Sequence, residues 1–361
     1  MKIFNKHNLL LFISFLIVFF SCTEDDIVTG EGGLLDYTIP IEPVVSDYTV
    51  GAQYTTFGRR NTVPEEPSIG IYNGNIGDPA VYEEHVKQAQ TAGIDFFIFN
   101  FRSANNQAQN DQDVTFINGL QSATNAQDIK FALSYNFGNM GLNNNSRIEA
   151  RGLVQRFIDD FKLMIPYFNQ PNYMKVDGKN VVYLLNSHNL HSDDNAALYQ
   201  QMRAELSGLG VELYLIGMQN DWSPTLRFDF RFVNGVDAVT HNTYATINRN
   251  FYDRLEQFHK LVDLAFQYHK ETWLDYNIEY IPTISPSINI SIINPGSNLF
   301  VIDKKENWFR DFCNVARRAS GTNKIILIDS FNDWNRGTQI ESANTYSDQY
   351  LNIVKEEFKT N

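Results

Sequence analysis

The chain has 361 residues, of which 42 are acidic and 29 basic, and its formal net charge is −13. A surface of that sign repels nucleic acid, so no nucleic-acid partner is expected, whereas a neutral substrate such as a glycan is compatible with it. Because there are only two cysteines, Cys22 and Cys313, a disulfide framework and a cysteine-based metal site are excluded as well. Cys313 lies among apolar residues at helical spacing and is expected to be buried.

The first residues are typical of an export signal. Two lysines precede an apolar run, residues 9–20, that is about half the length needed to span a bilayer. The run ends at Ser21-Cys22, which resembles a bacterial lipoprotein cleavage site. We therefore expect residues 1–21 to be a signal peptide and Cys22 to carry a lipid that anchors the protein to the outer membrane or cell surface. The alternative is an ordinary signal peptide with an incidental cysteine.

The next segment predicts a tether. Residues 22–45 contain glycines, prolines and acidic residues without periodicity, as expected of a flexible link between membrane and domain. Residues 46–361 show no internal repeat and no low-complexity tract, and their length suits one large domain.

Within that domain, apolar strand-like runs alternate with helical stretches about eight times. The predicted strands are residues 49–56, 96–101, 129–135, 181–185, 212–218, 238–241, 280–284 and 324–328. The helical stretches include residues 80–92, 147–165, 195–206, 251–270 and 307–318. This alternation predicts an α/β fold, a single-domain (β/α)8 TIM barrel. The alternative, an open doubly wound sheet, would need a glycine-rich phosphate loop after an early strand, and the sequence has none.

Polar residues that follow the predicted strands would meet at one mouth of such a barrel. The candidates for substrate binding after strands three to six are Tyr135, Asn186, His188, Asp221, His241 and Tyr244. Each could instead be an ordinary polar residue of a surface loop. The histidines have no recognisable metal-ligand spacing, so neither a metal nor another cofactor is expected.

The densest polar chemistry follows the last strand. Four apolar residues, 325–328, are succeeded by a stretch rich in groups that hold sugars: carboxylates, amides and an indole. Its candidate residues are Asn332, Asp333, Trp334, Arg336 and Glu341, with Asp333 as the catalytic candidate and Trp334 as a platform for stacking on a sugar ring. An oligosaccharide or polysaccharide is therefore the expected partner.

This stretch, Ser330-Phe-Asn-Asp-Trp-Asn-Arg-Gly-Thr-Gln-Ile-Glu341, resembles the last-strand motif of the glycoside hydrolase family 99-like proteins, the endo-α-mannosidase and endo-α-mannanase relatives. Weaker matches at residues 78–98, 171–183 and 281–286 follow in the family's order. The resemblance implies a retaining mechanism with two carboxyl groups, one that takes the proton of the sugar 2-hydroxyl and one that protonates the leaving oxygen. Asp333 stands at the first position and Arg336 at the second.

That replacement leaves the mechanism open. Arg336 cannot act as an acid, because a guanidinium keeps its proton near neutral pH. Asp333 is one methylene shorter than glutamate, and a displacement of about 1 Å can cost roughly a hundredfold in rate. Replacement acids to consider are Asp221, Glu279 and Asp329, although Asp329 is expected to face the outside of the barrel.

Two interpretations remain. One is a glycosidase acting on α-mannan-type or related glycan with an altered catalytic pair. The other is a non-catalytic surface glycan-binding protein on a dead hydrolase barrel. A second carboxyl group about 5–10 Å from Asp333 would favour the enzyme.

Overall fold

The computed structural model describes residues 36–56, 59–72, 77–142, 146–219, 229–244, 257–297 and 301–360. The predicted signal peptide, Cys22, most of the tether and Asp221 lie outside these residues. The chain from Ile39 onward forms one compact unit. It begins before the predicted boundary at residue 46, because Glu42 is hydrogen-bonded on both sides: its N–H donates to Asn314 Oδ1 at 2.9 Å, and its carbonyl accepts from Arg317 Nε at 2.9 Å.

Ten strands of the described residues form one sheet. They are β1 (Thr49–Tyr54), β2 (Phe96–Phe101), β3 (Lys130–Asn136), β4 (Lys175–Val176), β5 (Lys179–Leu185), β6 (Leu213–Gln219), β7 (Ala238–His241), β8 (Glu279–Tyr280), β9 (Thr283–Ile284) and β10 (Ile325–Ile328). The helices are α1 (Pro79–Ala92), α2 (Gln107–Ser122), α3 (Val154–Leu163), α4 (Ile165–Phe168), α5 (Asn195–Ser207), α6 (Phe258–Leu274), α7 (Glu306–Ala319) and α8 (Gln349–Phe358). None of these helices is long and apolar enough to cross a bilayer.

The sheet closes on itself through β8 and β9. These two strands belong to one extended run that is interrupted at Pro282, which has no N–H to donate to a ladder. On one side β8 pairs in parallel with β7, and on the other β9 pairs in parallel with β10. The order β8-β7-β6-β5-β3-β2-β1-β10-β9 is therefore a ring of eight parallel strands, with β4 added antiparallel to β5. The predicted (β/α)8 barrel is confirmed.

Alternation along the strands divides the core into two layers. In β2, Phe96 and Ile98 fill the barrel interior, whereas Phe97 and Phe99 pack between the barrel and the helices. Both faces of the sheet are thus buried, which is why the strands are continuous apolar runs in the sequence. Cys313 is buried in the outer layer, as expected.

Helices α2 and α8 were not among the predicted helical stretches, and the predicted helices differ mainly at their beginnings. Helix α1 begins as predicted, since Asp78 accepts from Ala80 N at 3.0 Å and Pro79 occupies the first turn. Helix α3 begins seven residues later than predicted, at Val154 rather than at residue 147, because Gly152 adopts a left-handed φ of 64° that a continuing helix does not allow. The predicted start at residue 251 lies outside the described residues; the described part of that helix is α6.

Candidate functional site

A cavity of about 250 Å³ opens at the carboxyl ends of the strands, the end that carries the chemistry in α/β barrels. Its floor is a ring of inward-facing residues from near the ends of seven strands: Gln53, Asn100, Ser134, Leu185, Met218, Thr283 and Asp329. Ile98 and Tyr183 line the cavity below this ring. Asn186, Asn242, Asp333 and Arg336 line the cavity as well. Amide, hydroxyl and carboxylate groups from around the barrel thus converge on one space.

Asp329 points into this cavity, so the expectation that it faces the outside is wrong. Ile325 and Leu327 belong to the interior of the barrel, and Asp329 is the next residue of the same alternation. Its N–H donates to Ile284 O at 2.9 Å, which extends the pairing of β10 with β9 by one residue.

Glu279 lies at the opposite end of the barrel and cannot reach the cavity. It is the first residue of β8, and its carboxylate accepts from Asn323 N at 2.7 Å and from Tyr214 Oη at 2.6 Å. Glu279 is therefore a structural residue, which excludes it as the replacement acid.

Arg336 joins the two carboxylates of the cavity. Its Nε donates to Asp333 Oδ2 at 2.6 Å, while Nη1 and Nη2 donate to the two oxygens of Asp329 at 3.0 and 2.5 Å. The backbone N–H of Arg336 adds a bond to Asp333 Oδ1 at 3.1 Å. Such bidentate, charge-assisted bonds are the strongest that an arginine makes. The three side chains thus form a fixed ion cluster, referred to below as the carboxylate clamp.

The chain supports the clamp through a tight turn. Ser330 Oγ accepts from Asp333 N at 2.7 Å and lies 3.0 Å from Thr338 Oγ1, and Thr338 N donates back to Asp333 O at 3.2 Å. Gly337 has a left-handed φ of 67°, which lets the chain reverse. These bonds hold Asp333 and Arg336 over the end of β10.

The electrostatics of the clamp follow from burial and charge. Burial disfavours the charged guanidinium, but the carboxylates of Asp329 and Asp333 outweigh it and hold the pKa of Arg336 above its usual value. Arg336 therefore remains a cation and cannot supply a proton. Among the described residues that line the cavity, Asp329 and Asp333 are the only carboxylates, so the clamp carries a net charge of about −1.

Trp334, the predicted stacking platform, is buried and does not line the strand-end cavity. It is 2% exposed, and its Nε1 donates to Glu341 Oε2 at 2.8 Å. Glu341 is fully buried too, since it accepts from Tyr72 Oη at 2.7 Å and interacts with His85 Nε2 at 3.0 Å. A buried carboxylate needs such partners. Trp334 and Glu341 therefore brace the turn rather than contact a substrate.

Several other candidates also have their side chains bound internally. Tyr135 Oη donates to Asp160 at 2.8 Å in the outer layer, and Tyr244 Oη donates to Ser285 O at 2.8 Å. Asn332 Oδ1 accepts from Thr55 N at 2.7 Å and joins the turn to the end of β1. None of these three side chains is among those that line the strand-end cavity.

The two histidine candidates differ in position. The ring of His241 packs against Phe266 and lies 2.5 Å from Tyr280 Oη, although the residue borders the cavity. His188 does not line the cavity; its carbonyl accepts from the Arg231 guanidinium. Burial lowers the pKa of His188 to about 4, so it is neutral near pH 7. Of the two histidines, His241 alone lines the cavity.

Of the predicted site residues, the structure thus brings Asn186, His241, Asp333 and Arg336 together at the cavity. It adds Gln53, Asn100 and Thr283, which the sequence analysis missed. The sequence did contain a pattern that could have identified these three residues. Each is a polar residue at an inward position of a strand that is otherwise apolar. Within the described part of the chain, no group of three or more histidine, cysteine or acidic residues is arranged to hold a metal.

Fold and cavity define a barrel of the glycoside hydrolase type. The model of the family described as "Glycosyltransferase WbsX" matches residues 59–354, and the chain belongs to that family. A solved structure described as "Glycoside hydrolase-like protein" is 40% identical, with a TM-score of 0.83 over 91% of this chain and 98% of that one. No curated protein matches.

The expected relation to glycoside hydrolase family 99 is confirmed at the level of fold. The family 99 endo-α-mannosidase from Bacteroides thetaiotaomicron is 14% identical, with a TM-score of 0.62 over 86% of this chain and 97% of that one.

Proposed function

We propose that this protein binds a neutral glycan, an α-mannan-type or related oligosaccharide, in the strand-end cavity, and that the carboxylate clamp makes its hydrolysis slow. The observation that carries the proposal is the position of Arg336, whose side chain engages both carboxylates of the cavity. Amides and hydroxyls around the floor supply the hydrogen bonds that sugar hydroxyls require.

The clamp weakens acid catalysis for a specific reason. Asp329 is the second carboxyl group that a glycosidase would need, but both of its oxygens accept hydrogen bonds from Arg336. In that arrangement it has no proton to give to a leaving oxygen. A positioned general acid contributes roughly a hundred- to ten-thousandfold in rate. A protein that lacks this acid therefore still binds the glycan but cleaves it slowly.

Two other functions are compatible with the same site. A purely non-catalytic glycan-binding role requires only the cavity. The description of the family as a glycosyltransferase suggests transfer to a sugar acceptor instead of water. Product analysis with and without an added oligosaccharide acceptor distinguishes hydrolysis from transfer.

The test of the binding site is calorimetric titration of the mature protein with neutral manno-oligosaccharides and related glycans. Asp333→Asn should weaken binding about tenfold, because it removes a charged acceptor from the cavity. Asp95→Asn is the matched control, since Asp95 lies at the other end of the barrel, where it accepts from Val50 N at 2.7 Å. Equal affinity in the wild type and in Asp333→Asn would contradict the assignment of the site.

The location at the cell surface is part of the proposal. The apolar run that ends at Ser21-Cys22 supports a lipid anchor on Cys22, which would place the barrel beside extracellular glycan. In a bacterial host that processes lipoproteins, Cys22→Ala should move the protein from the membrane fraction to the soluble fraction. Continued membrane association of this variant would contradict the lipid anchor.

A further inference from the structure

Two aliphatic side chains interrupt the polar floor of the cavity, and a third, Ile98, lies one inward position deeper, below Asn100 of β2. Leu185 and Met218 are the floor residues of β5 and β6, whereas the other five floor positions carry amides, hydroxyls or the Asp329 carboxylate. In the circular order of the barrel, β5 and β6 are the fourth and fifth parallel strands, and they lie opposite β10 and β1. The cavity therefore has the carboxylate clamp on one side and, facing it, an apolar patch formed by Leu185 and Met218.

The apolar patch belongs to the cavity wall. Leu185 is half-buried, and Met218 is 4% exposed, yet both line the cavity. A sugar hydroxyl pressed against them would lose its hydrogen bonds to water without replacement, which is costly. A methyl group at the same place would gain from burial.

Asn186, next to the apolar patch, has a fixed orientation. Asn136 Oδ1 accepts from Gly138 N at 2.9 Å, and a backbone N–H is always a donor, so this atom is an oxygen. Asn186 Nδ2 donates to the same oxygen at 2.9 Å. The atom that Asn186 leaves for a ligand is therefore its Oδ1, a hydrogen-bond acceptor. Its left-handed φ of 57° is a conformation that asparagine tolerates better than most residues.

We propose that the sugar in this cavity carries a methyl-bearing substituent that packs on Leu185 and Met218, with Asn186 Oδ1 accepting a hydrogen bond beside it. Two sources share this chemistry: the C6 methyl of a 6-deoxy sugar and the methyl of an acetamido group. The proposal rests on the proposed function and adds the substituent that decides which neutral glycan is bound.

The experiment compares three free sugars of one hexose series by titration of the wild-type protein: the parent hexose, its 6-deoxy analogue and its 2-acetamido analogue. One of the two methyl-bearing ligands should bind about fourfold or more tightly than the parent, the gain expected for burying one methyl group. The ligand that gains identifies the source of the methyl. If all three bind equally, this inference is overturned while the proposed function stands; if none binds, both are overturned.

Variants locate the methyl group. Leu185→Asn keeps the approximate size of the side chain and should abolish the preference, and Met218→Gln should reduce it. The matched control is Asp95→Asn, which changes a polar side chain at the other end of the barrel and should keep the preference. If the preference persists unchanged in both Leu185→Asn and Met218→Gln, the methyl group does not pack on the apolar patch and the inference is overturned.

Discussion

At the scale of single residues, Arg336 decides what the cavity can do. Its side chain donates to Asp333 once and to Asp329 twice, so three of the five N–H groups of a guanidinium are committed within the protein. The residue identities at positions 333 and 336 could be read from the sequence. The inward direction of Asp329 could not, because residues 325–328 are all apolar and do not show which of them face the barrel interior. The alternation that places Asp329 inward is visible only in the structure.

Replacing Arg336 with methionine should destabilise the protein by about 1–3 kcal/mol at pH 7, because two neighbouring carboxylates lose their shared counterion. Urea unfolding of the two proteins measures this. Arg310→Met is the control, since Arg310 binds more exposed carboxylates of α7 and α8 and should cost less. An equal loss of stability in Arg336→Met and Arg310→Met would contradict the carboxylate clamp.

Trp334→Phe should lower the free energy of unfolding by about 1–3 kcal/mol, because it removes a hydrogen bond to the buried Glu341 carboxylate. Glycan affinity should change little, since the indole does not line the strand-end cavity. Denaturant unfolding and titration of the same variant separate the two effects. Lost affinity with unchanged stability would mean that Trp334 contacts the sugar after all.

At the scale of elements, strands were easier to predict than helices. Parallel strands buried on both faces give apolar runs that stand out in the sequence. Helix α2 was missed because its first turns are rich in Gln, Asn and Asp. It is held by tertiary contacts instead: the buried Asp113 carboxylate accepts from Arg102 N at 2.7 Å and from Arg102 Nε at 2.9 Å. The local pattern of apolar residues does not predict the pairing of Arg102 with Asp113.

The packing of α6 on α7 predicts a dependence on pH. The His259 ring lies 4.3 Å from the Trp308 ring, and burial lowers the pKa of His259 to about 4. The unfolded chain takes up a proton near pH 6.5, so the unfolded state binds more protons between pH 6.5 and 4. The contribution of His259 to stability is therefore fully present above pH 6.5 and is lost as the pH falls to 4.

His259→Phe should flatten the acid limb of the stability curve between pH 6.5 and 4 while leaving glycan binding unchanged. Urea unfolding at half-unit steps of pH measures the slope. The half-buried His191 lies outside the His259–Trp308 contact, so His191→Gln removes a histidine without touching this packing. The same slope in wild type and in His259→Phe would show that other groups cause the acid loss.

At the scale of the whole molecule, the barrel closure brings the site together. The cavity draws residues from β1 to β10, which are distant in sequence and adjacent only because the run of β8 and β9 joins both ends of the sheet. Strand-helix alternation was enough to predict this architecture. It was not enough to show which polar residues face inward. Those directions depend on the stagger of the strands around the barrel and, for Asp329, on the pairing of β10 continuing one residue past Ile328.

The central claim is that Arg336 separates glycan binding from glycan cleavage. The most direct test measures product release from a bound neutral oligosaccharide by the wild type and by the double variant Asp333→Glu with Arg336→Glu, which supplies the two acids that the motif's resemblance implies. We expect the wild type to bind the glycan and to release product at least about a hundredfold more slowly than the double variant, the minimum expected for a missing general acid. Release by the wild type at ordinary glycosidase rates would contradict the account.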